Sequence, residues 1–186
     1  MKGLIIIPDI TGFTRFVKTV DINLGTLIIS DLLNTIIDSN PLDLEVSEIE
    51  GDAVLFYKLG VPVNSVMVFD GLRKINEAFN AKLQEVEVLY NVKADLSLKF
   101  IVHYGDINVY NIKGFKKLYG QTIIEAHCLL KNGDGQANYI LLTQDYTDAI
   151  ADFNDSRTTS WLYSSSHSTD FAGLRRIDYS FYTYAA

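Results

Sequence analysis

The chain has 186 residues, 48% of them hydrophobic, which is enough to bury the core of one compact domain spanning residues 1–186. Its net charge is −7, and its 16 lysines and arginines are scattered, so it lacks the basic stripe that a nucleic-acid partner requires. Its single cysteine excludes an internal disulfide framework, its short apolar start lacks a signal-peptide cleavage site, and no run of about 18 apolar residues predicts a membrane span, so we expect a cytoplasmic protein.

The beginning of the chain predicts a buried strand followed by two helices. Residues 3–9 are predicted as a strand buried on both faces, because the apolar residues 4–7 run continuously instead of alternating. Helical spacing begins at Thr11, and residues 24–38 form a second, amphipathic helix with apolar residues three and four apart. The Ser-Asn-Pro segment at 39–41 ends that helix.

Two strands are predicted next, joined at Gly51-Asp52. The first alternates apolar residues with acids, as in an edge strand, and its apolar positions are Leu42, Leu44, Val46 and Ile49. The second, residues 53–57, is apolar throughout, as in an inner strand.

The remaining elements continue to alternate between helix and strand. A long helix is predicted over 63–90, a hairpin over 97–110 with Gly105 near its turn, and a helix from 121 that ends at Gly133. A strand, a short helix and two late strands follow, at 138–143, 143–148, around Trp161 and over 177–184. The polar stretches 154–160 and 164–170 are interpreted as loops or a polar edge strand.

This order of elements favours an α+β fold with a ferredoxin-like antiparallel sheet and helices packed on one face. In that topology the third strand lies between the first and the second. The end of the first strand then meets the start of the third, which brings Asp9 close to Asp52.

Two neighbouring carboxylates repel each other unless a cation binds both, and Mg²⁺ suits such a site because it retains positions for phosphate oxygens. Free backbone N–H groups are expected at the turn and helix start formed by Thr11, Gly12, Phe13 and Thr14, where phosphates can bind. The alternative is purely structural. In that case Asp9 caps the helix and Gly51-Asp52 is only a hairpin turn.

Several motifs occur in the order known from one enzyme family. The stretch DITGFT at 9–14 resembles the D-I-x-G-F-T motif of class III nucleotidyl cyclases, and EIEGDAVLFY at 48–57 resembles their G-D hairpin. HYGDINVYNI, YGQTIIEAHCLL and YILLTQDYTDAI are similar to later segments of the family. The resemblance covers nearly the whole chain and implies the cyclase fold, in an uncharacterised branch of cyclase-homology proteins.

The resemblance also implies site residues. Asp9, Asp52 and the Ile10 carbonyl correspond to the ligands of two Mg²⁺ or Mn²⁺ ions, which activate the ribose 3′-hydroxyl of a purine nucleoside triphosphate and hold its phosphates. Glu48 and Lys117 fall at the base-reading positions. A carboxylate at 48 suits the N–H donors of guanine, whereas Lys117 does not complement it, and Glu48 is equally well explained as an exposed edge acid.

Two expected groups are missing. The asparagine and the transition-state arginine of the family correspond to Ile124 and Cys128, neither of which orients a ribose or binds a phosphate. Five basic residues are candidate replacements as phosphate ligands: Lys116, Lys117, Lys131, Arg175 and Arg176.

In the family, the metal aspartates and the remaining site groups come from different protomers, so a working homologue is a homodimer. Three functions stay open: an active cyclase, a degenerate nucleotide-binding or regulatory module, and a structural dimerisation domain.

Three further features are interpreted structurally. His127 and Cys128 are adjacent on a helix and so point to different faces, which excludes a metal pair or a catalytic dyad. His103 is expected to be a hydrogen-bonded core or interface histidine, because it lies in an apolar strand. The tyrosine-rich end of the chain predicts an amphipathic strand at a sheet edge or a dimer surface.

Overall fold

The computed structural model describes residues 1–131, 138–150 and 161–184. Within these ranges the strands are β1 (Lys2–Thr11), β2 (Glu45–Glu50), β3 (Ala53–Leu59), β4 (Ser97–Asp106), β5 (Asn108–Ile112), β6 (Phe115–Tyr119), β7 (Tyr139–Thr143), β8 (Trp161–Asp170) and β9 (Arg176–Tyr184). The helices are α1 (Phe13–Thr19), α2 (Ile22–Asp38), α3 (Ser65–Tyr90), α4 (Gln121–Lys131) and α5 (Gln144–Ala149).

The described strands other than β5 and β6 form a seven-stranded sheet in the order β2-β3-β1-β4-β7-β9-β8. Its first four strands have the ferredoxin-like order and are antiparallel to their neighbours, and only β4 and β7 pair in parallel. The prediction that β3 lies between β1 and β2 is confirmed. This order gives β1 a central position, which explains why its sequence is apolar on both faces.

Each face of the sheet carries its own hydrophobic core. One core joins Leu4, Ile6 and the facing residues of β3 and β4 to α1, α2, α3 and α5. The other joins Ile5 and Ile7 to α4. The expectation that all helices lie on one face is therefore wrong for α4, because β1 presents apolar side chains to both sides and the second side also needs cover.

The predicted hairpin over 97–110 is also wrong. β4 continues through Gly105 to Asp106, which pairs with Lys2 of β1, and β5 pairs with β6 in a separate two-stranded sheet. The β5–β6 turn is Lys113-Gly114, where both residues have positive φ angles of 51° and 90°. Positive φ at both central residues is typical of the tight turns that match strand twist, so the turn lies there and not at Gly105.

The edge position of β2 is confirmed, but its burial pattern differs from the prediction. Leu42 and Leu44 are buried before the strand begins, whereas Val46 and Ile49 are 41% and 51% exposed. The pairing with β3 shifts register between Val46 and Glu48, and this irregularity breaks the expected alternation.

The tyrosine-rich strand β9 lies between β7 and β8 and is not at the edge, where residues 164–170 of β8 form a polar strand. Gly133 and the stretch 154–160 lie outside the described residues. No helix within the described ranges has the length and apolar character needed to span a membrane.

Candidate metal and nucleotide site

The backbone brings the ends of β1 and β3 together. Asp9 is the register partner of Ala53, and the Ile10 N–H donates to the Asp52 carbonyl at 3.0 Å. Gly51 adopts a φ of 62°, so Gly51-Asp52 is the turn of the β2–β3 hairpin, as the structural alternative proposed. The same turn places Asp52 beside the end of β1. The segment is therefore both a hairpin turn and the position where Asp52 meets Asp9.

The carboxyl groups of Asp9 and Asp52 lie close enough to interact with each other. Asp9 is only 8% exposed. Burial and the neighbouring Asp9 charge together raise the pKa of Asp52 to about 6, although the Asp52 backbone N–H and Lys99 oppose the shift. The Asp52 carboxyl is thus harder to ionise than a free aspartate, first because it is buried and second because Asp9 lies beside it.

Lys99 supplies the nearest positive charge. Its ammonium lies 2.9 Å from the Asp9 carboxylate and 3.2 Å from the Leu130 carbonyl at the end of α4. Lys99 was not among the predicted site residues, because its partner Asp9 is far away in the chain and the nearest acidic residue in sequence is Asp95. Its only sequence signal is a lone lysine inside an apolar strand, and the β1–β4 register, which pairs Lys99 with Asp9, gives that lysine a role.

The donor set fits a divalent cation. Lys99 only partly balances the charges of the two carboxylates. The hydrogen bond from the Ile10 N–H to the Asp52 carbonyl orients the Ile10 backbone toward Asp52. Paired residues in antiparallel strands direct their N–H and C=O groups toward the same neighbour, so the Ile10 carbonyl faces the site. A bound ion competes with Lys99 for Asp9.

The turn at Gly12 begins α1 without a side-chain cap. Gly12 has a φ of 92° and is the N-cap residue, so the interpretation of Asp9 as a helix cap is wrong. The Phe13 side chain packs against the main core, and therefore only its backbone can contact a phosphate, while Thr14 is exposed. The Thr11 hydroxyl is buried without a hydrogen-bond partner among the described residues, on the same sheet face as Asp9.

An open cleft of about 460 Å³ lies beside this turn. Its lining includes Gly12, Arg15, Lys93 and Asp95. Arg15 pairs with Asp95 at 3.2 Å, and both side chains are largely exposed. The cleft therefore offers two cationic side chains next to the uncapped start of α1.

The two predicted base-reading residues are adjacent. Lys117 of β6 donates to the Glu48 carboxylate of β2 at 2.6 Å, and this hydrogen bond raises the pKa of Lys117. Lys116, the preceding residue, contacts Glu45 at 3.0 Å. The β5–β6 hairpin is thereby held against the edge strand by ion pairs.

The positions of the missing family groups lie on α4, and the candidate replacements have different environments. Ile124 is 55% exposed on α4, and Cys128 is half-buried one turn further on. Four of the five candidate basic residues are in ion pairs: Lys116 with Glu45, Lys117 with Glu48, Arg175 with Glu125 and Asp145, and Arg176 with Asp178. Lys131 is exposed at the last described residue of α4.

The histidines have different environments. His103 is fully buried between Thr143 and Glu125, at 2.9 Å from each, which confirms the prediction of a hydrogen-bonded core histidine. His127 is partly buried and faces Glu48 and Glu50 of β2. This contact was not predicted from the sequence.

A larger cavity of about 710 Å³ lies near the start of β1, at the opposite end of the strand from Asp9. Lys2, Tyr104, Glu125 and Arg175 contribute to its lining. Three of its charged residues are engaged with each other, since Arg175 donates to Glu125 at 2.8 Å and to Asp145 at 2.9 Å. It is separate from the paired aspartates.

Comparison with known families assigns the chain. The model of the family described as "Protein of unknown function (DUF2652)" matches residues 29–139, which is more than half of the sequence. The chain belongs to the DUF2652 family. This DUF2652 protein is also 25% identical over 152 residues to the "Uncharacterized protein Rv2561/Rv2562" of Mycobacterium tuberculosis, covering 78% of the chain and 68% of that protein.

Solved structures show that this DUF2652 protein has the fold of class III adenylyl and guanylyl cyclase domains. The guanylyl cyclase Cya2 superposes with a TM-score of 0.74 at 11% identity, covering 100% of this chain and 93% of that one. The adenylyl cyclase CyaB from P. aeruginosa gives 0.73 at 14% identity, with 100% and 95% coverage. The guanylate cyclase domain of RhGC from Catenaria anguillulae, solved in complex with GTP, gives 0.64 at 13% identity, with 100% and 97% coverage. The predicted fold class is confirmed.

Proposed function

We propose that this DUF2652 protein binds a purine nucleoside triphosphate together with Mg²⁺ or Mn²⁺, as a homodimer of one-domain chains. The observation that carries the proposal is the contact between Asp9 and Asp52, whose charges Lys99 only partly balances. A divalent cation with its bound phosphates supplies the missing positive charge. The cyclase fold of its structural neighbours supports the nucleotide as the ligand class.

Different residues of the site bind the cation and the phosphates. Asp9, Asp52 and the Ile10 carbonyl hold the cation, and the backbone N–H groups from Gly12 to Thr14 receive phosphate oxygens. Arg15 and Lys93 lie at the adjacent cleft and attract the triphosphate. When bound, the cation neutralises phosphate charge and lowers the pKa of the ribose 3′-hydroxyl, which is the chemistry that cyclisation requires.

Turnover is expected to be slow. Ile124 and Cys128 provide no donor to the ribose or to the transferred phosphate. Each missing transition-state donor of this kind costs about 10²–10³ in rate. We therefore propose that ligand binding is the main activity. Conversion to a 3′,5′-cyclic nucleotide and pyrophosphate is then a slow side activity.

A second candidate is a regulatory or dimerisation module without turnover. Two ion pairs favour it, because Lys99 contacts Asp9 and Lys117 contacts Glu48, so the metal and base positions both have internal partners.

If Glu48 is released from Lys117, its carboxylate can accept the N1–H and N2–H₂ groups of guanine. Preference for GTP over ATP is therefore the expected base selectivity.

Thermal unfolding tests the binding proposal. Mn²⁺ with GTP should raise the melting temperature of the wild-type protein, and Asp52→Asn should abolish the rise, because ligand binding stabilises only the state that binds. Asp178→Asn removes a carboxylate from the exposed pair with Arg176 and serves as the control that retains the rise. Absence of a shift with both GTP and ATP would refute the proposal.

Product analysis then separates binding from catalysis. The protein is incubated with Mn²⁺ and each triphosphate, and cyclic nucleotide and pyrophosphate are quantified. Slow formation of both supports the cyclase side activity, whereas binding without either product identifies a module. Sedimentation with and without Mn²⁺–GTP measures the dimer, and a strictly monomeric protein under saturating ligand would contradict the homodimer.

A further inference from the structure

Three side chains outside the Asp9–Asp52 pair lie close enough together to bind one metal ion. Glu48 and Glu50 of β2 and His127 of α4 each offer one ligand atom, and these atoms lie within 4.8 Å of one another. Among the described residues no other such group of three is present. The cluster combines two strand residues with one helix residue, so it joins the edge of the sheet to α4.

We propose that Glu48, Glu50 and His127 form a second cation site, selective for a transition metal ion of the Zn²⁺ class. The site is distinct from the aspartate pair and does not rest on the proposed nucleotide function, although a metal ion and a guanine base would compete for Glu48. Two carboxylate oxygens and one imidazole nitrogen are a ligand set that Zn²⁺ accepts, leaving a fourth position for water. Mg²⁺ prefers oxygen ligands and binds imidazole weakly, whereas Zn²⁺ binds imidazole well. The cluster should therefore prefer Zn²⁺, and the aspartate pair should prefer Mg²⁺.

The two ring nitrogens of His127 face the two glutamates without forming direct hydrogen bonds. His127 Nε2 lies 3.7 Å from Glu48 Oε1, and His127 Nδ1 lies 3.8 Å from Glu50 Oε2. Both separations exceed a normal hydrogen bond. One ring nitrogen of His127 can bind a given Zn²⁺, so the glutamate that faces the other nitrogen has to move toward it. Two ligands bound tetrahedrally at about 2.0–2.1 Å from one Zn²⁺ are about 3.4 Å apart, and the three ligand atoms lie within 4.8 Å of one another before any movement. The Glu50 side chain is 61% exposed and has room to move.

The surroundings orient the ligands without blocking them. Lys117 binds Glu48 through Oε2, whereas the atom that faces His127 is Oε1, so one oxygen remains available for a metal. The same contact fixes the rotation of the Glu48 carboxylate, as partners of metal ligands commonly do. A divalent ion balances the charges of the two glutamates, and Lys117 leaves a single positive charge beside the site.

The register separates this cluster from the aspartates. Glu50 and Asp9 both pair with Ala53, from opposite sides of β3, and therefore lie roughly 10 Å apart across two interstrand spacings. His127 contacts Glu48 and Glu50 and is not part of the aspartate pair, so substitution of His127 affects the cluster without removing either aspartate. A test can therefore silence one site and measure the other.

The experiment uses the full chain carrying Asp52→Asn, which weakens the aspartate site. Zn²⁺ is titrated in competition with a chromophoric chelator, and Co²⁺ is added separately to record visible absorption. We expect one equivalent of Zn²⁺, with affinity reduced at least about tenfold by His127→Ala and by Glu50→Gln. The Co²⁺ absorption should weaken in the same two variants.

The matched control is His167→Ala, because His167 is an exposed histidine outside the cluster, on β8. It should leave Zn²⁺ affinity and the Co²⁺ spectrum unchanged. Circular dichroism verifies that each variant is folded. The proposal is overturned by absence of Zn²⁺ binding in Asp52→Asn, or by binding that neither His127→Ala nor Glu50→Gln weakens.

Discussion

Lys99 and Asp9 face each other across adjacent antiparallel strands, and the Lys99 ammonium lies 2.9 Å from the Asp9 carboxylate. The lysine is also anchored to α4 through the Leu130 carbonyl. Asp9 and Asp52 carry two negative charges when both are ionised, and Lys99 balances only one. This imbalance governs how the site responds to pH and to cations.

Asp52→Asn is expected to stabilise the protein at neutral pH. The folded-state pKa of Asp52 is raised from 3.8 to about 6, so the wild-type protein loses stability as the pH rises from about 4 through 6. Asparagine does not ionise and avoids this loss. Urea unfolding should show a gain of order 1 kcal/mol at pH 7.5, after allowance for solvent screening, and little difference at pH 4. A variant that is less stable at pH 7.5 would contradict this.

Lys99→Met should strengthen the response to a divalent cation. Removal of the ammonium leaves Asp9 without its counter-ion, which lowers the melting temperature of the metal-free protein. Mn²⁺ then restores the charge balance, so the Mn²⁺-induced rise in melting temperature should exceed that of the wild type.

Lys58→Met is the matched control for this variant, because Lys58 also contacts an aspartate, Asp43 at 3.7 Å, and a carbonyl, Leu42 at 2.9 Å. Its Mn²⁺ response should equal that of the wild type. A smaller response in Lys99→Met than in Lys58→Met would mean that Lys99 assists cation binding.

Gly12→Ala should destabilise the protein strongly. Gly12 has a φ of 92°, and a Cβ there would enter the backbone carbonyl of Asp95. Gly114 has a similar φ of 90° but open space around it, so Gly114→Ala isolates the backbone strain alone. Guanidinium unfolding should give a loss of about 1–2 kcal/mol for Gly114→Ala and a larger loss for Gly12→Ala. Equal losses would show that the Asp95 contact yields at no cost.

Glu125→Gln should remove a buried charge that holds two elements together. Burial by itself would raise the pKa of Glu125, but hydrogen bonds from His103, Arg175 and Gln121 outweigh it and lower the pKa to about 2. The ionised group therefore stabilises the fold above pH 4.5, and this stabilisation disappears as the pH falls toward 2.

Urea unfolding at pH 7 should show a loss of about 3 kcal/mol for Glu125→Gln, because Arg175 and His103 lose their charged partner. The difference from the wild type should shrink below pH 4. Asp178→Asn, which breaks only the exposed pair with Arg176, should change stability by less than about 1 kcal/mol. Equal losses in the two variants would contradict the special role of Glu125.

Local pattern was sufficient to predict most of the secondary structure and the order of the central strands. The amphipathic spacing of α2, the apolar run of β1 and the turn at Gly51-Asp52 are encoded within short windows. Connection rules then place β3 beside β1, and so the meeting of Asp9 and Asp52 follows without coordinates.

Contacts between distant segments were decided only in the tertiary structure. Lys99 reaches Asp9 through a strand register, and His127 reaches Glu48 because α4 crosses the face of the sheet that sequence analysis left uncovered. The pairing of β5 with β6 likewise depends on positive φ angles at Lys113-Gly114, which the residue types alone do not require.

The sequence by itself thus determined the order of β1, β2 and β3 and the meeting of the two aspartates, because hydrophobic period and turn chemistry act over a few neighbouring residues. The tertiary structure decided which charges surround those aspartates. Electrostatic partners are set by separations of a few ångströms in space, and residues 90 positions apart such as Asp9 and Lys99 have no local signal of that proximity.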